Sequence, residues 1–143
     1  MKVLKVEPYI EPYEIEIPEG LASLQNQVEG YIEVLYPSED RIGIICNEEG
    51  KLNRMELNRS VFDDAGNRLD IIAGPFLVVG LGEENFTSLP DDMLQKYKEQ
   101  FKDAEMFGMN IYTRELVSLK VEARPAGLAK ASLEKAQENH AER

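Results

Sequence analysis

The stretch Ile42-Gly43-Ile44-Ile45-Cys46-Asn47-Glu48-Glu49-Gly50-Lys51-Leu52-Asn53-Arg54-Met55-Glu56-Leu57-Asn58-Arg59 decides the fold. It opens as an apolar, β-branched run, breaks at Asn47 to Gly50, resumes with Leu52, Met55 and Leu57, and closes on Asn58-Arg59. A short apolar run bounded by turn residues reads as a core strand entering a polar turn. Gly50 offers positive φ for that turn, and residues 51–57 continue as a short strand or extended segment. Core strand and candidate site therefore share one stretch.

Working upstream, Tyr31-Ile32-Glu33-Val34-Leu35-Tyr36 is aromatic and β-branched and ends at Pro37-Ser38-Glu39-Asp40, which makes it the hairpin partner of the run from Arg41 to Cys46. Residues 2–6 and 13–17 alternate apolar with polar, as two antiparallel half-buried strands do. Between them and the hairpin, Leu21, Leu24 and Val28 fall at helical spacing with Gly30 as a stop, so residues 21–29 read as a short helix.

Downstream, Asp63-Asp64-Ala65-Gly66-Asn67 is hairpin-turn chemistry, since its acids miss the ligand spacing of a calcium loop. Residues 73–81 form the most apolar stretch, a covered strand entered through Gly74-Pro75. Gly80-Leu81-Gly82 lacks the third glycine of a dinucleotide fingerprint and is followed by two acids where a pyrophosphate would sit. Ser88 as a hydroxyl cap, Pro90 in the first turn and Asp91-Asp92 at the positive end of the dipole start a second helix, whose stripe Leu89, Met93, Tyr97, Phe101 faces the sheet. Met106, Phe107 and Met109 then plug one end of the core, residues 111–121 admit a last strand or a helix, and the Ala/Lys/Glu/Gln-rich end reads as a solvated helix or frayed tail. The expectation is an α+β fold: a mostly antiparallel sheet of five to seven strands with two main helices packed on one face, as a core over residues 1–110 and an extension over 111–143.

The 143 residues suffice for one domain with a conventional core, and 43% hydrophobic with 30% charged residues marks a globular chain. No apolar run approaches the roughly 20 residues that cross a bilayer, and the basic start lacks a secretory pattern, so the reading is no membrane contact and a cytoplasmic protein. Acids outnumber bases 27 to 16, for a formal charge of −11, which opposes sequence-specific nucleic-acid binding and suits a basic protein partner or nucleic-acid mimicry.

The one cysteine, Cys46, lies inside an apolar run and reads as a small buried hydrophobe. The one histidine, His140, sits in the polar C-terminal segment, away from any triad, Cys-His pair or zinc site. Carboxylate work remains, as paired-acid or magnesium-dependent hydrolysis, but Glu48-Glu49, Asp63-Asp64, Glu83-Glu84 and Asp91-Asp92 all stand at turns or a helix start, where solvation or capping accounts for them. No catalytic residue, metal or cofactor is assigned.

The ligand-binding candidates are Arg41, Asn47, Gly50, Lys51, Asn58, Arg59 and Gly74. The two amides offer directed donors and acceptors, and the cations concentrate locally in an acidic chain, as an anion site requires. The plainer alternative is that Asn47 shapes a turn and Arg59 pairs with Asp63 or Glu56.

Residues 1–8, Gly30-Tyr31-Ile32-Glu33-Val34, Tyr36-Pro37, Cys46-Asn47-Glu48-Glu49-Gly50-Lys51-Leu52-Asn53, Leu57-Asn58-Arg59, Asp70-Ile71-Ile72-Ala73-Gly74, Val78-Val79-Gly80 and residues 86–89 resemble domain-of-unknown-function family 3846. The similarity spans residues 1 to about 107. The resemblance implies a setting in phages, plasmids and related mobile elements, among accessory and anti-restriction genes, and identifies no activity. Small accessory proteins in such a setting often block host defence, and the exclusions above suit a non-enzymatic one that either sequesters a small nucleotide-like immune signal or binds a host defence protein. For the first role, sheet edges and the C-terminal region offer contacts for a homo-oligomer with ligand held between subunits.

Overall fold

The computed structural model describes residues 1–127, so the expected C-terminal helix or tail, and His140 with it, lie outside the described residues. Ten strands and two helices follow in the order β1 (Lys2–Val6), β2 (Tyr13–Glu16), α1 (Leu21–Val28), β3 (Ile32–Leu35), β4 (Ile42–Asn47), β5 (Leu57–Phe62), β6 (Arg68–Ala73), β7 (Phe76–Leu81), β8 (Phe86–Thr87), α2 (Asp91–Gln100), β9 (Ala104–Met109) and β10 (Leu116–Val121). The main sheet has six strands in the order β2-β1-β7-β4-β3, with β8 pairing the far end of β7, and β5–β6 and β9–β10 form two separate hairpins. Every ladder is antiparallel, and the fold is α+β as expected. Among the described residues no helix is long and apolar enough to cross a membrane.

The helices occupy opposite faces of the sheet, which corrects the expectation of one shared face. Leu4, Val6, Ile42, Ile44, Phe76 and Val78 project to one side and pack with Leu89, Leu94, Tyr97 and Phe101 of the α2 region and with Val61 and Ile72 of the β5–β6 hairpin. Val3, Ile45, Leu77 and Val79 project to the other, under Leu24 and Val28 of α1. Strands buried on both faces are apolar at consecutive positions, and Ile44-Ile45 and Phe76-Leu77-Val78-Val79 carry that signature. The hairpin β3–β4 forms as expected, with β4 central but β3 at the sheet edge.

Other local expectations give way to particular contacts. Residues 48–54 coil through consecutive turns, with Asn53 N–H donating to Glu49 O and Met55 N–H to Gly50 O, so β5 begins only at Leu57. Ser88 does not cap α2; its Oγ accepts from Lys2 N–H at 2.9 Å, and Pro90 holds the cap position. Met106 and Met109 are exposed on the β9–β10 hairpin instead of plugging the core. The ambiguous segment resolves as a strand, β10, paired with β9 from Leu116 opposite Met109 to Val121 opposite Ala104. After it the chain returns to the N-terminal loop, where Arg124 bridges Ile10 in parallel.

Candidate functional site

The seven candidate residues do not converge on one cavity. Three of them, Asn47, Gly50 and Lys51, meet at a notch of about 170 Å³ at the end of β4, walled by Glu33, Cys46, Glu48, Glu49, Asp70 and Ala73. Arg41 immediately precedes the same strand, so about six residues, or roughly 20 Å of extended chain, separate it from Asn47. Its Nη2 donates to Leu81 O at 3.2 Å, at the opposite end of the sheet.

Asn47 acts as a helix cap and turn former together. Its Nδ2 donates to Val28 O (3.0 Å), satisfying a carbonyl left free at the end of α1, while its Oδ1 accepts from Glu49 N–H (2.8 Å). The left-handed residue that ends α1 is Glu29 (φ 64), not Gly30. Gly30 answers a different demand, because a Cβ there would stand 2.7 Å from Asn47 Nδ2. Gly50 likewise serves close approach: a Cβ would lie 2.6 Å from the Ala73 carbonyl oxygen, and the positive φ of this segment falls on Arg54 (φ 56).

Lys51 is paired with Asp70 across the mouth of the notch. Four carboxylates, Glu33, Glu48, Glu49 and Asp70, thus surround one lysine that is already neutralised. Beyond the Lys51–Asp70 pair lies an open groove of about 420 Å³ against Leu57, Arg68, Leu69, Ile71 and Leu116.

Asn58 and Arg59 are turned into the protein. A bulge in the β5–β6 ladder falls between Leu57 and Arg59, and it brings two consecutive side chains into contact where strand alternation would separate them. Arg59 Nη1 donates to Asn58 Oδ1 at 2.8 Å, and Asn58 Nδ2 donates to Val6 O and Gly74 O, both at 2.9 Å. The other guanidinium bonds run from Nε and Nη2 to Phe101 O (3.2 and 3.1 Å), from Nη1 to Glu7 O (3.3 Å) and from Nη2 to Ile10 O (2.8 Å). All five N–H groups of Arg59 are thereby engaged at 1% exposure, which assigns this side chain to the fold. The pairing with Asp63 or Glu56 is not what forms: Asp63 accepts from its own turn at Ala65 and Asn67, and Glu56 accepts from Tyr9. Burial pulls the Arg59 guanidinium down to about 10, against the opposing pull of Glu105 and Asp103. Glu105 is itself anchored by Ser60 N–H and Oγ, both at 2.8 Å. Gly74 has φ 84 and bends the chain from β6 into β7, a conformation suited to glycine.

Sequence reading missed a second buried polar network. Lys5 Nζ donates to Gln27 Oε1 (2.8 Å) and lies 3.6 Å from Glu7 Oε1, which also accepts from Tyr13 Oη (2.8 Å). Desolvation lowers the Lys5 ammonium and raises the Tyr13 phenol. The available signal was position: Lys5 shares a strand face with Val3 and so points under α1. Cys46 is buried as expected, and desolvation raises its thiol to about 12. Among the described residues no group of three His, Cys, Asp or Glu side chains is disposed to hold a metal.

No curated protein and no solved structure matches the chain. A family model does, over residues 1–102, which takes in β1 through α2 and ends just before the β9–β10 hairpin. The chain therefore belongs to the family described as domain of unknown function, DUF3846.

Proposed function

We propose that this protein acts in the cytoplasm by binding another protein, presenting the acidic notch at the Asn47–Lys51 turn to a basic surface. The observation that carries the reading is the charge at the turn: Glu33, Glu48, Glu49 and Asp70 face one Lys51, four negative charges against one positive, for a formal −3. The turn is held by Asn47 and by the Gly50–Ala73 approach, so little ordering entropy is lost when a partner docks. In the mobile-element setting that the family resemblance implies, the partner class is a host defence protein, and mimicry of nucleic acid is the means.

Sequestration of a nucleotide-like signal draws less support. Arg59 directs its donors inward and Arg41 lies at the other end of the sheet. The notch, at about 170 Å³, is smaller than the roughly 300 Å³ at which small-molecule sites begin.

The test is capture from host lysate at low salt by the wild-type chain, by Glu33→Gln/Glu48→Gln/Glu49→Gln and by the control Glu83→Gln/Glu84→Gln. A partner retained by wild type and control, released by salt and lost by the triple variant supports the reading. Equal retention by all three, or no partner, overturns it.

A further inference from the structure

We propose that the protein partner docks through a short extended segment that lies along β6. Its cationic side chain enters the acidic notch, an apolar side chain two residues on fills the neighbouring groove, and an acidic side chain two further on meets Arg68. This inference rests on the notch being a docking point and names what the partner presents there.

Notch and groove are continuous. Strand β6 lines both, the notch with Asp70 to Ala73 and the groove with Arg68 to Ile71, and the Lys51–Asp70 pair is the sill they share. From Arg68 to Ala73 the strand runs about 17 Å at roughly 3.3 Å per residue. An extended segment of about five residues covers about 13 Å of that.

The charge changes sign along this line. At the notch it is a formal −3, whereas in the groove Arg68 and Lys51 stand against Asp70 for a formal +1. The Arg68 guanidinium lies over the Phe62 ring, 5.9 Å from its centroid. Between the charged ends, Leu69 and Leu116 are 48 and 41% exposed and form an apolar floor with Leu57 and Ile71.

Electrostatic complementarity fixes register and rejects wrong partners. Alternate residues of an extended chain share a face, so a cation, an apolar residue and an acid at every second position meet the notch, the floor and Arg68 in turn. A uniformly basic segment would set a cation against Arg68. A second copy of this chain, at a formal −11, is repelled by the notch.

The test is a titration of the full, nitrogen-15-labelled chain, followed by amide chemical shifts, with the blocked peptide Lys-Ser-Leu-Ser-Glu up to about 5 mM, which reaches weak affinities. Shifts are expected together at Glu48 to Lys51, Arg68 to Ile71 and Leu116. Replacing the peptide's Leu by Ser, or Leu69→Ser in the protein, should weaken binding at least about fivefold. Arg68→Glu should weaken it about threefold or more and should reverse the preference, towards Lys-Ser-Leu-Ser-Lys. An absence of shifts overturns the proposal, as do shifts confined to the notch that survive loss of the leucine. Groove shifts that grow with protein concentration alone would seat a second copy there and overturn it too. The lysate capture by the Glu33, Glu48 and Glu49 variant reads the notch without the groove, so failure here leaves that reading standing.

Discussion

The guanidinium of Arg59 grips the carbonyl oxygen of Phe101 through Nε at 3.2 Å and Nη2 at 3.1 Å, fastening the end of α2 to β5. On the opposite face, Asn47 does the same for α1 through Val28 O. Free carbonyls at a helix C-terminus need partners, and a cation there also suits the dipole. Two residues that look from sequence like ligand groups are thus the C-terminal caps of the two helices.

Removing the Asn47 cap tests half of this relationship. Asn47→Ala strips a partner from the buried Val28 carbonyl and from Glu49 N–H, and should cost about 1–3 kcal/mol in urea denaturation. Gly50→Ala should cost a similar amount, about 1–3 kcal/mol, because the added methyl meets backbone at Ala73 and not a side chain that can swing away.

Cys46 should be inert in the native protein. Its thiol is buried and raised to about 12 by desolvation, and only the thiolate is nucleophilic. Iodoacetamide at pH 8 should leave the folded chain unmodified over a period in which the urea-unfolded chain reacts fully, as intact mass would show.

Stability should fall on acidification, below the ordinary carboxylate range near 4. The Lys96 ammonium and the Tyr97 hydroxyl hold the Asp40 carboxyl below its usual value, and the backbone amide of Asn67 does so for Asp63. A depressed acid lends stability above its unfolded pKa and loses it as pH falls through the folded one. Thermal melts between pH 6 and 2 should show that decline, and Asp40→Asn should be less stable at pH 6 with a shallower slope.

Much of the fold was legible because it rests on local pattern. The β1/β2 and β3/β4 pairs, the Asp63–Asn67 hairpin turn, the apolar β7 and both helices follow from alternation, helical spacing and turn residues. Which face each helix covers was not legible in that way, since β7 is apolar at every position from Phe76 to Val79 and accepts a helix on either side. The site was legible only in part. The sequence singled out Asn47, Asn58 and Arg59 as directed polar groups, but their partners are backbone carbonyls, such as Phe101 O 42 residues from Arg59, and carbonyls leave no mark in side-chain chemistry. The bulge that lets Asn58 and Arg59 work together is equally silent in the residue types.

The most direct measurement is the equilibrium unfolding of Arg59→Ala in urea. If Arg59 is the internal tie between α2, β5 and the Glu7–Ile10 loop, its removal leaves the buried Phe101 carbonyl, the part-buried Glu7 and Ile10 carbonyls and Asn58 short of partners, and stability should fall by about 3–5 kcal/mol. A loss below about 0.5 kcal/mol, the range of an ordinary surface substitution, would contradict the account and return Arg59 to the pool of groups free to meet a ligand.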